Sequence, residues 1–191
     1  MIRFFAAPIA AMGLLLAGAA DASAAGLIDF TGTSSTGYLG GGASPIPRTT
    51  VMYPTHYAPG TVVVNTAERR LYLVLPDGQA LRYGIGVGRD GFRWGGVHRI
   101  TAKKEWPEWT PPSQMIARRP DLPRHMKGGI ENPLGARAMY LGSTLYRIHG
   151  SNEPETIGQA VSSGCFRMTN EDVTDLYGRV GVGTTVVVLN N

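Results

Sequence analysis

The 191-residue sequence has a single cysteine, Cys165, which excludes an internal disulfide. Its four histidines, His56, His98, His125 and His149, are scattered, and neither H-x-x-x-H nor C-x-x-C spacing occurs. A metal centre is therefore not expected, nor is a cofactor. G-x-S-x-G, the turn that exposes a hydrolase serine, is missing. The glycine-alternating stretch Gly84–Gly88 lacks the lysine and the following helix of a phosphate loop. No run of five basic residues exists, and aromatic and basic residues are not interleaved, so nucleic acid is not an expected partner. Internal repeats at solenoid periods are also absent.

What is present points to an exported, loop-rich domain. The chain is 43% hydrophobic and 17% charged, enough apolar content for a core. With 26 glycines and 13 prolines, strands and turns are favoured over a helix bundle. The formal net charge of +4 suits an anionic polymer such as acidic cell wall. Residues 1–24 have the organisation of a secretory signal: Arg3, an apolar stretch Phe4–Ala20, then Ala22-Ser23-Ala24 as a cleavage site. The apolar stretch is short for a membrane span, so cleavage is expected and no stable span should remain. Residues 25–58, rich in Gly, Ser, Thr and Pro, read as a flexible linker, and 59–191 as the folded domain.

Within that domain, Thr61–Asn65, Leu71–Leu75 and Ala80–Val87 are predicted strands of an antiparallel meander, with a turn at Pro76-Asp77-Gly78. Residues 88–138 read mostly as loop around a short strand at Val97–Lys103. A loop region of that length is often functional, and its Trp94, Trp106 and Trp109 either line a cleft or pin the loops to the core. Strands are predicted at Met139–Leu141 and Leu145–His149, a short helix at Pro154–Ala160, a helix from Thr169 or Asn170 to Val180, and a last strand at Thr184–Leu189. The expected fold is mainly β, with one or two short helices and a long loop region forming the cleft.

A lone thiol in an exported chain is a liability unless it is buried or used. Cys165 follows Ser162-Ser163-Gly164, small residues able to form a tight turn whose N–H groups converge on one point. Gly164 and Cys165, joined by Ser163, are the candidate oxyanion donors. His149 ends a predicted strand 16 residues earlier and is the candidate base. Pairing with a histidine can lower a thiol's pKa and populate the thiolate. Arg167 stands on the same side of an extended chain as Cys165, placed to bind a substrate carboxylate or to hold the loop through carbonyl oxygens. Asn170 and Asp172 read as helix-capping residues.

The stretch from Ile148 to Tyr177 closely resembles the active-site signature of YkuD-type L,D-transpeptidase catalytic domains: His149-Gly150, Ile157-Gly158, Ser162 to Met168, then Asn170. Pro107–Met115 and Glu131–Gly142 also resemble family segments, so the likeness covers about Gly60 to Leu189. One departure is Ser163, where many members carry histidine. The Ser-Ser-Gly-Cys form resembles the Gram-negative envelope branch. The resemblance implies a β-sandwich-like fold and a periplasmic peptidoglycan L,D-transpeptidase that serves cell-wall organisation and cell shape. Cys165 would attack the third-residue carbonyl of a tetrapeptide stem and release D-alanine. His149 would be the base, Gly150 its orienter through a backbone carbonyl, and an amine the acceptor. Implied partners are stem peptides, envelope proteins as acceptors, and carbapenem-type inhibitors. The alternatives are an L,D-carboxypeptidase acting on the same bond and an inactive wall-binding domain.

Overall fold

A computed structural model describes residues 43–190; the signal segment and the linker as far as residue 42 lie outside the described residues. Eleven strands are formed by the described residues: β1 Thr49–Met52, β2 Val62–Asn65, β3 Arg70–Val74, β4 Gln79–Gly84, β5 Val87–Gly88, β6 Gly96–Glu105, β7 Arg137–Leu141, β8 Arg147–His149, β9 Ala160–Ser162, β10 Phe166–Arg167 and β11 Thr185–Leu189. The two helices are α1 Ser113–Arg118 and α2 Asn170–Arg179, with a single 3-10 turn at Pro154–Thr156. The fold is mainly β, as the sequence implies.

Nine strands form one sheet in the order β1-β4-β3-β2-β11-β6-β7-β8-β10, and β5 pairs with β9 apart from it. The meander β2-β3-β4 is antiparallel, as expected. β11 enters beside β2 in parallel and beside β6 antiparallel. β6 belongs to both halves of the sheet, and its register shifts between Ile100 and Ala102. Such a bulge bends a strand. Val62, Val64, Leu71 and Leu73 from one half share a core with Met139, Leu141, Ile148 and Phe166 from the other, and with Val173 and Leu176 of α2.

The stretch assigned to a flexible linker, 25–58, is structured over much of its described part. β1 pairs with β4. Val51, Tyr53 and Tyr57 cover a second apolar cluster of Val63, Tyr72, Val74 and Ala80, with Tyr53 stacked on Tyr72 at 4.5 Å between centroids. The reason is visible in β2, where Val62, Val63 and Val64 are all fully buried. A strand apolar on both faces needs cover on both. Further upstream, Ile46 lies against Gly84 and Gly158, where an added Cβ would meet its side chain at 2.6 and 2.8 Å. Arg48 pairs with Asp172 and Asp175 of α2 at 3.3 and 3.4 Å. The described residues before 59 therefore pack on the strands and helix that follow them.

Two other readings change. β6 is ten residues long rather than a short strand, and α1 arises inside the region read as loop. The segment 154–160 gives one 3-10 turn, then strand β9, instead of a helix. Thr169 caps α2, accepting from the Asp172 N–H at 3.2 Å. At the other end of α2, Lys103 Nζ donates to the Tyr177 and Val180 carbonyls at 2.6 Å each. A cation suits those orphan acceptors.

Asp172 is buried beside the Thr169 cap, and its Oδ2 has no hydrogen-bond partner among the described residues. Burial raises its pKa to about 6 against the pull of Arg48. The native state thus holds the proton more tightly than an unfolded chain, whose carboxyl titrates near 3.8. The sign is that stability contributed at low pH is lost as pH rises from about 4 through about 6. Asp172→Asn should lack this loss. Between pH 4 and 7.5 the variant should gain on the wild type by roughly 1–3 kcal/mol in denaturant unfolding; parallel pH curves for the two proteins would contradict the assignment.

Candidate active site

The site is built where two short strands run side by side. β8 and β10 pair in parallel, Phe166 opposite Ile148 and Arg167 opposite His149. Ile148 and Phe166 are the inward members of this alternation and are fully buried in the core. Arg147, His149, Cys165 and Arg167 take the other face and line one cleft of about 920 Å³. The structure therefore brings together the candidate base and nucleophile that the sequence leaves 16 residues apart.

His149 is held firmly. Its strand pairs with β7 on the other side, Ala138 opposite His149, and its carbonyl accepts from the Met168 N–H at 2.8 Å. Nδ1 lies 2.6 Å from the Gly150 carbonyl oxygen. A carbonyl can only accept, so Nδ1 carries the proton and Nε2 keeps its lone pair. Burial, with the Arg167 charge next, pushes the imidazole pKa down to about 3, against the favourable contact with Gly150; Arg147 adds to the depression. The ring is neutral at physiological pH.

Cys165 lies half-buried between β9 and β10. Its thiol is directed at the Leu145 carbonyl oxygen, 3.9 Å away, and not at the imidazole. Burial pushes its pKa up, opposed by the Arg147 charge, by the Arg147 backbone N–H and by Arg167. Of the two arrangements, thiolate with imidazolium or thiol with imidazole, burial favours the neutral one. An ion pair in this buried strip would have to overcome the desolvation of two charges.

The turn that presents the thiol is fastened by several contacts. Ser162 Oγ donates to the Cys165 carbonyl at 2.6 Å and accepts the Gly164 N–H at 3.1 Å. Gly164 N–H, a candidate oxyanion donor, is thus occupied in this state. The Ser163 and Cys165 N–H groups have no partner among the described residues. Trp94 Nε1 donates to the Gly164 carbonyl at 2.7 Å, and its ring stacks on Tyr146 at 4.4 Å. Trp94 therefore pins a loop, whereas Trp109 lines the cleft. Gly164 has φ +109°, and a Cβ there would strike the Tyr146 ring. Gly164→Ala should cost about 1–3 kcal/mol of stability and lower Cys165 acylation at least 100-fold, read from unfolding curves and intact-protein mass. Acylation at the wild-type rate would show that the turn tolerates a side chain.

Arg167 binds neither a carbonyl nor free space: its Nη1 pairs with Glu153 at 2.8 Å. Asn170, read as a cap, is buried, and its Oδ1 accepts the Ala136 N–H at 2.8 Å. The same oxygen lies where a Cβ on Gly135 or Gly150 would stand. Asn170 thus packs directly against the Gly150 that orients His149. The sequence marked Asn170 only as a cap and a signature residue and left Trp94 between cleft and core, and it gave Tyr146 no role. Their only signal was the pairing of each with glycine at a place where bulk is forbidden. Among the described residues, no group of three His, Cys, Asp or Glu side chains is placed to hold a metal ion.

A buried neutral imidazole with a fixed tautomer beside a thiol, in a cleft of a mainly β domain, is the arrangement of a cysteine acyl-transfer site. Comparison with known proteins agrees. The sequence model of the YkuD L,D-transpeptidase catalytic domain matches residues 59–188, and this chain belongs to that family. The probable L,D-transpeptidase ErfK/SrfK of Escherichia coli K12 is 38% identical over 138 residues, covering 68% of this chain and 44% of the relative. The chain spans about half the length of the curated relatives it matches. A solved structure from Brucella melitensis, described as a probable carnitine operon oxidoreductase, is 50% identical, with a TM-score of 0.51 over 75% of this chain and 93% of that one. The fold is also shared by L,D-transpeptidase 3 of Mycobacterium tuberculosis in complex with a faropenem-derived adduct. That match is 17% identical, with a TM-score of 0.55 over 68% of this chain and 60% of that one.

Proposed function

We propose that this chain is a peptidoglycan L,D-transpeptidase with Cys165 as nucleophile and His149 as general base. The observation that carries the reading is the β8–β10 pairing, which sets both residues on one cleft face with His149 Nε2 unprotonated. When a tetrapeptide stem fills the cleft, the thiol turns from the Leu145 carbonyl to Nε2 and gives up its proton. Sγ bonds to the carbonyl carbon of the third stem residue, and the N–H groups of Cys165 and Ser163 receive the oxyanion. The C–N bond then breaks, and the imidazolium returns its proton to the departing D-alanine amine. An acceptor amine attacks the thioester, passes a proton through Nε2 to the sulfur, and leaves with the acyl group. Gly164 N–H joins the oxyanion donors if Ser162 Oγ turns away.

The reading extends to the rest of the chain. Residues 1–24 act as a cleaved export signal, and the enzyme works in the periplasm. Stem peptides are its donors, with stem or envelope-protein amines as acceptors. The faropenem-derived adduct on the mycobacterial relative supports β-lactam acylation of Cys165, carbapenems included. The deciding experiment incubates the mature protein with defined tetrapeptide muropeptides and resolves the products by mass. Dimers joined through third residues are expected. Tripeptides alone would make the enzyme a carboxypeptidase, and unchanged substrate would make the domain a wall binder.

A further inference from the structure

The cleft has a second charged feature on the far side of the nucleophile from His149. Of its five lining arginines, Arg119 is tied to Asp121, Arg167 to Glu153, and Arg147 to the Leu145 carbonyl. The guanidinium groups of Arg89 and Arg118 have neither a carboxylate nor a carbonyl partner among the described residues. Both instead lie against one ring, with guanidinium carbons 4.7 and 5.2 Å from the Phe92 centroid. They reach it from separate elements, Arg89 just after β5 and Arg118 from α1. Two unneutralised cations thus stand no more than about 10 Å apart, one Debye length at 0.1 M salt.

The location relative to the thiol is set by backbone pairing. β8, bearing His149, flanks β10 on one side; Gly86, leading into β5, pairs with Arg167 on the other. The Arg89 N–H donates to the Ser162 carbonyl at 3.0 Å, and a Cβ on Gly164 would lie 3.3 Å from the Phe92 carbonyl oxygen. The arginine pair therefore adjoins the nucleophile turn opposite the base.

In acyl transfer the base must reach the leaving amine and the incoming amine in turn, so both amines occupy the His149 side. The acyl portion of the donor extends the other way. We propose that Arg89 and Arg118, carried on Phe92, form a carboxylate clamp for the acyl-donor peptide. It grips a carboxylate on the part of the donor away from the scissile amine. A guanidinium resting on an aromatic face keeps its N–H edge free for a planar anion. This assignment builds on the acyl-transfer reading and specifies which end of the cleft takes which partner.

The test uses two matched donor peptides, one with free carboxylates and one with the carboxylates outside the scissile bond amidated. Calorimetric binding to Cys165→Ala is compared with binding to the same protein carrying Arg89→Gln and Arg118→Gln, both exposed positions. Acylation of Cys165 is followed in parallel by intact mass. The clamp predicts that the carboxylate donor binds about 10-fold or more tighter than the amidated one, increasingly so at low salt. The double substitution should bring that ratio to within about threefold of unity. A ratio unchanged by the double substitution, or absent from the start, overturns the clamp. Donor binding that responds to the arginines without any Cys165 adduct leaves the clamp standing and overturns the acyl-transfer reading instead.

Discussion

Cys165→Ala is expected to abolish acyl transfer from tetrapeptide stems while leaving the protein folded. The thiol makes one long contact, to the Leu145 carbonyl, and its side chain is only half-buried. Truncating it removes little packing, so the unfolding midpoint should stay close to the wild type. The chemistry has no substitute, because no other cysteine exists in the chain. Turnover should fall by at least 10⁴-fold, to the limit of detection. Muropeptide dimers formed at the wild-type rate by this variant would remove the central claim.

His149→Ala should be the second-largest effect. Loss of a positioned base typically costs roughly 10²–10⁴-fold. The pH dependence separates this role from a structural one. With the imidazole pKa at about 3, the base stays neutral as pH falls through 6.5. Acylation by the wild type should therefore keep its rate down to about pH 5, well below where an ordinary histidine protonates. In the variant only free thiolate can react, and burial raises the pKa of Cys165. Its residual rate should climb tenfold per pH unit through pH 8. A variant with the wild-type profile, merely scaled down, would show that His149 positions rather than deprotonates.

The two predictions rest on parts of the site that were unequally legible in the sequence. The lone thiol, its Ser-Ser-Gly approach and the strand-end histidine could be picked out as local patterns. Their meeting could not be derived, because it depends on a parallel pairing of strands two and three residues long. Such strands carry too few residues for alternation to register. The balance of protonation states was not legible in the sequence, because it depends on burial. A histidine near a thiol suggests an ion pair, but burial of both groups favours the neutral partners. Trp94 was open to a pinning role, but its partner was not legible because the indole reaches a carbonyl 70 residues away.

The fold shows the same division. The meander was readable from its β-branched runs and the Pro76-Asp77-Gly78 turn. β1 was missed because Thr49–Met52 lies in a stretch whose composition resembles a linker, and what orders it is the outer face of β2 and β3. Thr61-Val62-Val63-Val64 carried the hint, being apolar without alternation. α1 escaped because its six residues sit between prolines.

The position of β11 has a consequence for biosynthesis. It is the latest strand of the domain in chain order, yet it lies in the middle of the sheet, joining β2 to β6. Until it is made, β2 and β6 each leave a strand edge without its partner. The β2-β3-β4 meander can form early, but the two halves of the sheet cannot be united. A polypeptide emerging in order from a ribosome or an export channel must therefore travel through Leu189 before the nine-stranded sheet is complete. Until then Cys165 is a bare thiol on an unfinished chain, exposed to whatever oxidants the compartment holds.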